Sequence, residues 1–308
     1  MIRIGVQTAG IQGDYSIDET YRIIRETGFD AADANIDELF PPEDIRDRKR
    51  SVAFSGSDTE FLPHVKPWRD AALKYHVENY QAHAILPSSL YQEDPYNDYL
   101  IEVLKKNIAC CDYIQCRNLI IHPFFYSYEL RPGLEQELEM NLERYSRLIP
   151  QARTYGVRIC LENMFIRHRG RIYSGCCGNA EEACRYVDEL NRIAGTECFG
   201  FCLDTGHLLL GGQTVRQAMN RLGKRICAFH IHDNNGVEDQ HLAPYLGVMD
   251  WDGFVQGLAD IGYDRTMCFE TFKSWKNVDP CLRKPMLQYI YQAGKTFAEK
   301  AEKAMEAP

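Results

Sequence analysis

Eight short apolar runs, each followed by a longer amphipathic stretch, constrain this chain more than any other feature. The runs fall at 2–7 (IRIGVQ), 29–33 (FDAAD), 79–84 (NYQAHA), 118–122 (NLIIH), 157–161 (VRICL), 198–203 (CFGFCL), 226–231 (ICAFHI) and 266–270 (TMCFE). Short apolar runs bounded by turn residues read as strands buried on both faces. The stretches 17–27, 66–77, 95–116, 133–155, 179–194, 214–222, 251–261 and 283–304 read as helices. Glycine follows several of them, in ETGFD, TYGVR and DIGYD, where a helix stops and the next strand begins. Strand and helix alternating eight times predict an α/β chain, a (β/α)8 TIM barrel, as one domain over 1–308. Residues 37–65 are polar, charged and interrupted by Pro, Gly and Ser, and read as an insertion after the second strand, placed to lie over the site as a lid.

Composition narrows the class of partner. Hydrophobic residues make up 45% of the chain and charged residues 26%, which is ordinary for a soluble globular protein. The net charge is -9 with no basic block, and nucleic-acid binders draw most of their affinity from Lys and Arg on phosphates, so DNA and RNA are disfavoured as partners. The opening MIRIGVQTAG reads as a strand rather than a signal peptide. No run of about 18 apolar residues is present, so no membrane span is expected. Twelve cysteines without a CxxC pair read as small, reduced core residues, which points to the cytoplasm.

A parallel barrel carries its active site at the C-terminal ends of its strands. Strand three ends at His83, strand four at His122, strand five at Glu162 and strand six at Asp204, with His207 three residues on. Strand seven ends at His230, inside HIHDNNGVEDQH, and strand eight at Glu270. Each residue alone has an ordinary explanation: a core histidine, a salt-bridge partner, or, for Asp204 before Thr205 and Gly206, a helix N-cap. Together, six consecutive strands deliver a His, Asp or Glu to one face. Carboxylates and imidazoles are the usual ligands of divalent transition metals. Glu162, Asp204, His230 and Glu270 would converge on the barrel axis as an oxygen-rich set that leans toward Mn²⁺, with Mg²⁺, Co²⁺ or Zn²⁺ as alternatives. Three carboxylates in one shell make a cation close to obligatory. His83, His122, His207, Asp239 and His241 would hold a second ion or contact the substrate. The basic run RHRGR at 167–171 offers Arg167 and Arg169 as a grip for a phosphate or carboxylate, and Trp68, Phe124, Phe125, Tyr126 and Trp251 are aromatics able to stack on a sugar ring.

The ordered set HPF (122–124), LEN (161–163), DTGH (204–207), HIHDN through DQH (230–241) and FET (269–271) resembles the xylose isomerase-like TIM barrels. That superfamily holds sugar-phosphate isomerases and epimerases together with endonuclease IV, of AP endonuclease family 2. The resemblance covers nearly the whole chain. It implies a divalent metal on Glu162, Asp204, His230 and Glu270, and a small-molecule sugar or sugar derivative as substrate. It implies aldose–ketose isomerisation or epimerisation. A proton next to a carbonyl is removed, and the resulting enediolate is stabilised by the metal as a Lewis acid. Glu162 and Glu270 would exchange the proton, and His207 would polarise a substrate oxygen or orient Asp204. In the endonuclease IV branch further metals sit on residues that look like His83, His122, His207, Asp239 and His241, which keeps a phosphodiesterase as the alternative, beside a related sugar or glycoside lyase. Two departures stand out. The arginine that ketose 3-epimerases carry after the strand-seven histidine falls here at about Gly236, and strand one, VQTAG, lacks the proton-relay histidine of true xylose isomerases. Exterior helices of such barrels often pair, which points to a homo-oligomer.

Overall fold

In the computed structural model, which describes residues 1–90, 94–124 and 131–306, eight parallel strands close into a barrel. They are β1 (Arg3–Gln7), β2 (Ala31–Asn35), β3 (Glu78–His83), β4 (Asn118–Ile120) and β5 (Arg158–Glu162), then β8 (Phe199–Asp204), β9 (Ile226–His230) and β10 (Thr266–Phe269). Between β5 and β8 a two-stranded antiparallel hairpin, β6 (Phe165–His168) and β7 (Arg171–Ser174), stands outside the barrel sheet. The sheet runs β10-β1-β2-β3-β4-β5-β8-β9, and its two ends meet where Ile231 pairs with Phe269: Ile231 donates to the Cys268 carbonyl and Glu270 to the Ile231 carbonyl, at 2.9 and 3.0 Å. The barrel and its ring of helices are those that the alternating pattern predicts.

Local chemistry starts the helices. Ser16 and Glu19 form a capping box on Ile17–Glu26, whose buried Thr20, Tyr21, Ile23 and Ile24 share the inward face. Asn179 caps Ala180–Ala194 by accepting from the Glu182 amide. Cys160, Cys202 and Cys227 pack with Ile120 and Ala228 as one buried cluster, and Cys268 packs with Ala31 and Tyr80. Cysteine serves there as a small hydrophobe, and all the cysteines but Cys281 are buried. Among the described residues no helix is long and apolar enough to cross a membrane.

The structure departs from the expected elements in several places. Strand two lies at Ala31–Asn35, two residues later than 29–33, because Phe29 is spent on closing the preceding helix against Tyr291. The helix expected from 66 starts at Asp58 and carries Pro63 and Pro67 inside it. The stretch 133–155 is two helices, Leu134–Ser146 and Ile149–Tyr155, broken where Pro150 opens the second. The basic run RHRGR forms the tip of the β6–β7 hairpin, a pair of strands not among the expected elements. The polar insertion forms a 3-10 turn at Ile36–Leu39 and a short helix at Pro42–Arg46. It is tied down by Arg48 Nε on Asp94 at 2.9 Å and by the Tyr99 hydroxyl accepting from the Ser51 amide at 2.7 Å.

Candidate metal centre

At the C-terminal ends of the strands lies a cavity of about 640 Å³. Its floor is His83, His122, Glu162, His207, Asp239, His241 and Glu270; its walls are Leu86, Pro87, Met164, Phe165, Ile166 and Phe272; Arg46 and Arg167 stand at its open side.

The floor is arranged by hydrogen bonds that decide which ring nitrogen faces inward. Carbonyl oxygens only accept, so a ring nitrogen bonded to one carries its proton. His83 Nδ1 bonds the Ala84 carbonyl at 2.7 Å, His207 Nδ1 that of Asn163 at 2.9 Å and His241 Nδ1 that of Glu270 at 3.1 Å. His230 Nε2 lies 3.1 Å from Asp33 Oδ2, to which it donates. Each ring is thus fixed from behind and turns its other nitrogen to the cavity, which is how ligating imidazoles are oriented. His230 Nδ1 sits 3.2 Å from Glu162 Oε2 and 3.5 Å from Glu270 Oε2. Among the described residues, buried His230 Nδ1 and Glu162 Oε2 nonetheless have no hydrogen-bond partner. A ring nitrogen and carboxylate oxygens that converge in this way fit a cation, which would take the place of the imidazole's proton.

Two flanking groups repeat the pattern. His83 Nε2 faces His122 Nε2 at 3.1 Å, and His122 Nε2 is 3.2 Å from Glu162 Oε2. On the other side His207, His232, Asp239 and His241 offer ligand atoms within 4.8 Å of one another, as do Glu162, Asp204 and His207. Among the described residues no Lys or Arg side chain bonds the carboxylate of Asp33, Glu162, Asp204, Asp239 or Glu270. The counter-charge must come from protonated imidazoles or from metal.

The motifs explain themselves locally. Asn163 of LEN exchanges two 2.8 Å bonds with the Asp204 backbone and so joins β5 to β8 at the site. Asp204 caps Thr205–Leu210, accepting from the His207 amide at 2.6 Å, and receives the His232 ring at 3.0 Å. Gly206 is needed because a Cβ there would lie 1.9 Å from the His232 ring. Asp233 accepts from the amides of Asn234, Gly247 and Met249 and from the Trp251 indole at 2.9 to 3.1 Å, and so folds the whole 234–251 loop around one carboxylate. That loop presents Asp239 and His241, whose rings and carboxylate meet at 2.9 Å. His241 holds φ at 45°, a left-handed backbone uncommon outside glycine and enriched at functional sites.

Electrostatics follow from this geometry. Burial works against ionisation of Glu162, but His230 and His122 outweigh it and hold the carboxyl well below the usual range. Burial likewise opposes charge on His207, yet Asp204 and Glu162 push its pKa up to about 10. Burial also opposes charge on His230, while Cys202, Glu270 and Glu162 raise it well above the ordinary value. Without a cation, the carboxylates keep protons on the imidazoles. Cys202 lies with Glu162 and His230, and burial pushes its thiol up, which makes it a poor ligand beside the carboxylates.

Of the residues expected from sequence, the structure brings His83, His122, Glu162, Asp204, His207, His230, Asp239, His241 and Glu270 together. Arg167 lines the cavity and donates to the Val237 carbonyl at 2.8 Å, whereas Arg169 takes the hairpin turn at φ 49° and does not line it. Trp68 is buried in the core and Phe124 packs on Tyr145 at 4.9 Å; neither faces the cavity. Trp251 stacks on Phe297. Phe125 and Tyr126 lie outside the described residues. The cavity's aromatics are instead Phe165, edge-on to His207 at 5.0 Å, and Phe272, against His241 at 4.4 Å. Asp33, Gln7, which holds Glu270 Oε1 at 2.8 Å, and Gln81, which holds Asp33 at 2.8 Å, went unread in the sequence. Polar residues inside a strand buried throughout, as in AADAN, are the signal that marks such groups.

Barrel and strand-end ligands define a class, the parallel barrels that bind their ligands at the C-terminal rim. Within it, a family model for the xylose isomerase-like TIM barrel matches residues 21–293, and the chain belongs to that family. An uncharacterised protein of Sinorhizobium fredii (strain NBRC 101917 / NGR234) is 36% identical over 93 residues, 30% of this chain and 30% of that protein. The inosose isomerase of Bacillus subtilis (strain 168) is 26% identical over 146 residues, 45% of this chain and 49% of the isomerase. The chain therefore spans less than half the length of either curated relative. The crystal structure of a D-tagatose 3-epimerase-like protein superposes with a TM-score of 0.70 at 20% identity, over 98% of this chain and 99% of that one, a likeness of fold.

Proposed function

We propose that this protein is a divalent-metal-dependent isomerase or epimerase of a sugar or sugar derivative. The observation that carries the reading is the convergence of His230 Nδ1 on Glu162 Oε2 and Glu270 Oε2, at 3.2 and 3.5 Å, where the two carboxylates line the cavity. The inosose isomerase and the D-tagatose 3-epimerase-like protein have names of the same reaction class. Glu162, Asp204, His230 and Glu270 would hold the ion, and their oxygen-rich donor set suits Mn²⁺, with Mg²⁺, Co²⁺ or Zn²⁺ as substitutes. When bound, the cation supplies a Lewis acid that draws negative charge onto neighbouring substrate oxygens.

The remaining chemistry belongs to the side chains. Glu162 and Glu270 come from separate strands. One removes the proton next to the substrate carbonyl, giving an enediolate, and the other returns it at the same carbon for epimerisation; a single carboxylate moving it between adjacent carbons gives isomerisation. His207 points Nε2 at the cavity and polarises a substrate oxygen. The walls of Leu86, Met164, Phe165, Ile166 and Phe272 keep water from the carbanion. The segment carrying Arg46 acts as the lid.

One observation favours a second reading, a metal-dependent phosphodiesterase: the flanking groups His83–His122–Glu162 and His207–His232–Asp239–His241 could each hold an ion, and imidazole-rich sites suit zinc. Elemental analysis of the purified protein, with deuterium wash-in from D₂O into ketoses and inososes, separates the two. One ion per chain with wash-in supports the isomerase; two or three zinc ions, no wash-in and cleavage of abasic DNA support the phosphodiesterase. No bound divalent ion after metal addition refutes both.

A further inference from the structure

Resting on the isomerase reading above, we infer that the substrate carries an anionic group, a carboxylate or a phosphate, at the end remote from its reacting carbons, and that Arg46 and Arg167 hold it. Both line the cavity on its open side and both are exposed. They come from different insertions: Arg46 closes the short helix after β2, and Arg167 lies on the β6 arm of the hairpin after β5. Neither segment belongs to the barrel sheet, and each brings a guanidinium to the same space.

Among the described residues neither guanidinium is paired with a carboxylate. The protein has an excess of acids, with a net charge of -9, and most of its arginines with a nearby acid use it, as Arg48 does with Asp94 and Arg225 with Asp188. Among the described residues the Arg46 guanidinium has no hydrogen-bond or ion-pair partner, and Arg167 donates only to the neutral Val237 carbonyl. That bond engages one of its nitrogens and sets the direction of the fork, leaving other N–H groups for a bidentate acceptor. The floor carboxylates do not answer these charges, because each already faces imidazoles or glutamine. Between floor and open side the walls are apolar, so an anion part-way down would find no donor among the described lining residues. A molecule filling the cavity therefore places its vicinal oxygens on the floor and its negative charge at the two arginines. A carboxylate and a phosphate share this recognition chemistry, and paired probes tell them apart.

The test is direct binding to the metal-loaded protein, by calorimetry, of D-glucuronate against D-glucose and of D-fructose 6-phosphate against D-fructose. The wild type should prefer at least one anionic partner by tenfold or more, and which pair shows it identifies carboxylate or phosphate. In the Arg46→Gln/Arg167→Gln double variant that preference, taken as the ratio within each pair, should fall to within twofold. Equal affinity within both pairs for the wild type overturns the inference. So does a preference that survives in the double variant, which would put the anion on the metal. Deuterium wash-in into the neutral sugars, measured in parallel, reports on the isomerase reading separately: it can succeed while the arginine assignment fails, and the reverse.

Discussion

Replacing Asp33 by Asn tests whether the site is built from behind. Asp33 is fully buried, and its Oδ2 accepts from His230 Nε2 at 3.1 Å and from Gln81 at 2.8 Å. The carboxylate thereby fixes the imidazole tautomer that turns a lone pair on Nδ1 toward Glu162 and Glu270. Asn keeps the volume and removes the charge. A hydrogen bond to a charged group contributes about 1.5–3 kcal/mol and a neutral one about 0.5–1.5, so roughly 1–2 kcal/mol of orientation is lost. The new amide nitrogen also takes the place of Oδ1, which has no partner, but that cost is present with and without metal and cancels in binding. At about 1.4 kcal/mol per decade the metal dissociation constant should rise roughly 5- to 30-fold, which overlaps the range of about 10- to 100-fold that outer-shell partners of ligating histidines typically show. Competition against a fluorescent chelator at fixed pH measures it. Gln81→Ala is the control, because it leaves the His230 acceptor intact and should stay within about threefold. A dissociation constant for Asp33→Asn within twofold of wild type, or equal to that of Gln81→Ala, would refute the reasoning.

Other outcomes follow from the same geometry. Glu162→Gln and Glu270→Gln should each lower deuterium wash-in by about 100-fold or more, the scale of a lost general acid–base, and Glu162→Gln should also lose the central ion in elemental analysis. His207 titrates at about 10 in the metal-free fold against about 6.5 unfolded. Its contribution to stability is complete below about 6.5 and disappears as pH rises through about 10, so the metal-free protein should melt lower at pH 10 than at pH 7. Metal uptake runs the other way, since the cation displaces those protons: affinity should climb across the same window, with proton release visible as buffer-dependent heat in calorimetry. Gly206→Ala forces a Cβ to 1.9 Å from the His232 ring and should destabilise the fold by about 1–3 kcal/mol, read by denaturant unfolding.

The barrel and the ligands were legible because each is written in a short window. An apolar run ending in His, Asp or Glu is visible without knowing its neighbours. What failed to show has two physical causes. Pro63 and Pro67 argue against a helix, yet Phe61, Val65 and Trp68 bury its face, and packing overrides propensity. The β6–β7 hairpin is not among the elements read from the sequence, because its short strands are half exposed and basic and lack an apolar run. Asp33, Gln7 and Gln81 act through partners 263, 197 and 48 residues away, for Gln7–Glu270, Asp33–His230 and Gln81–Asp33, and no local pattern carries that information. Trp68 and Phe124 looked like sugar-stacking aromatics and are core, because ring type alone says nothing of which way a side chain faces.

The loop folded around Asp233 bears on how such a barrel can change. One carboxylate collects three amides and an indole, so the path of 234–251 depends little on the side chains strung along it. Asn235, Gly236, Val237, Glu238, Tyr245, Leu246 and Val248 are exposed beside the cavity's Asp239 and His241. Mutational tolerance should be high at most of these positions and near zero at Asp233. The loop is thus a region of high evolvability, able to acquire new surface chemistry next to an unaltered reaction centre.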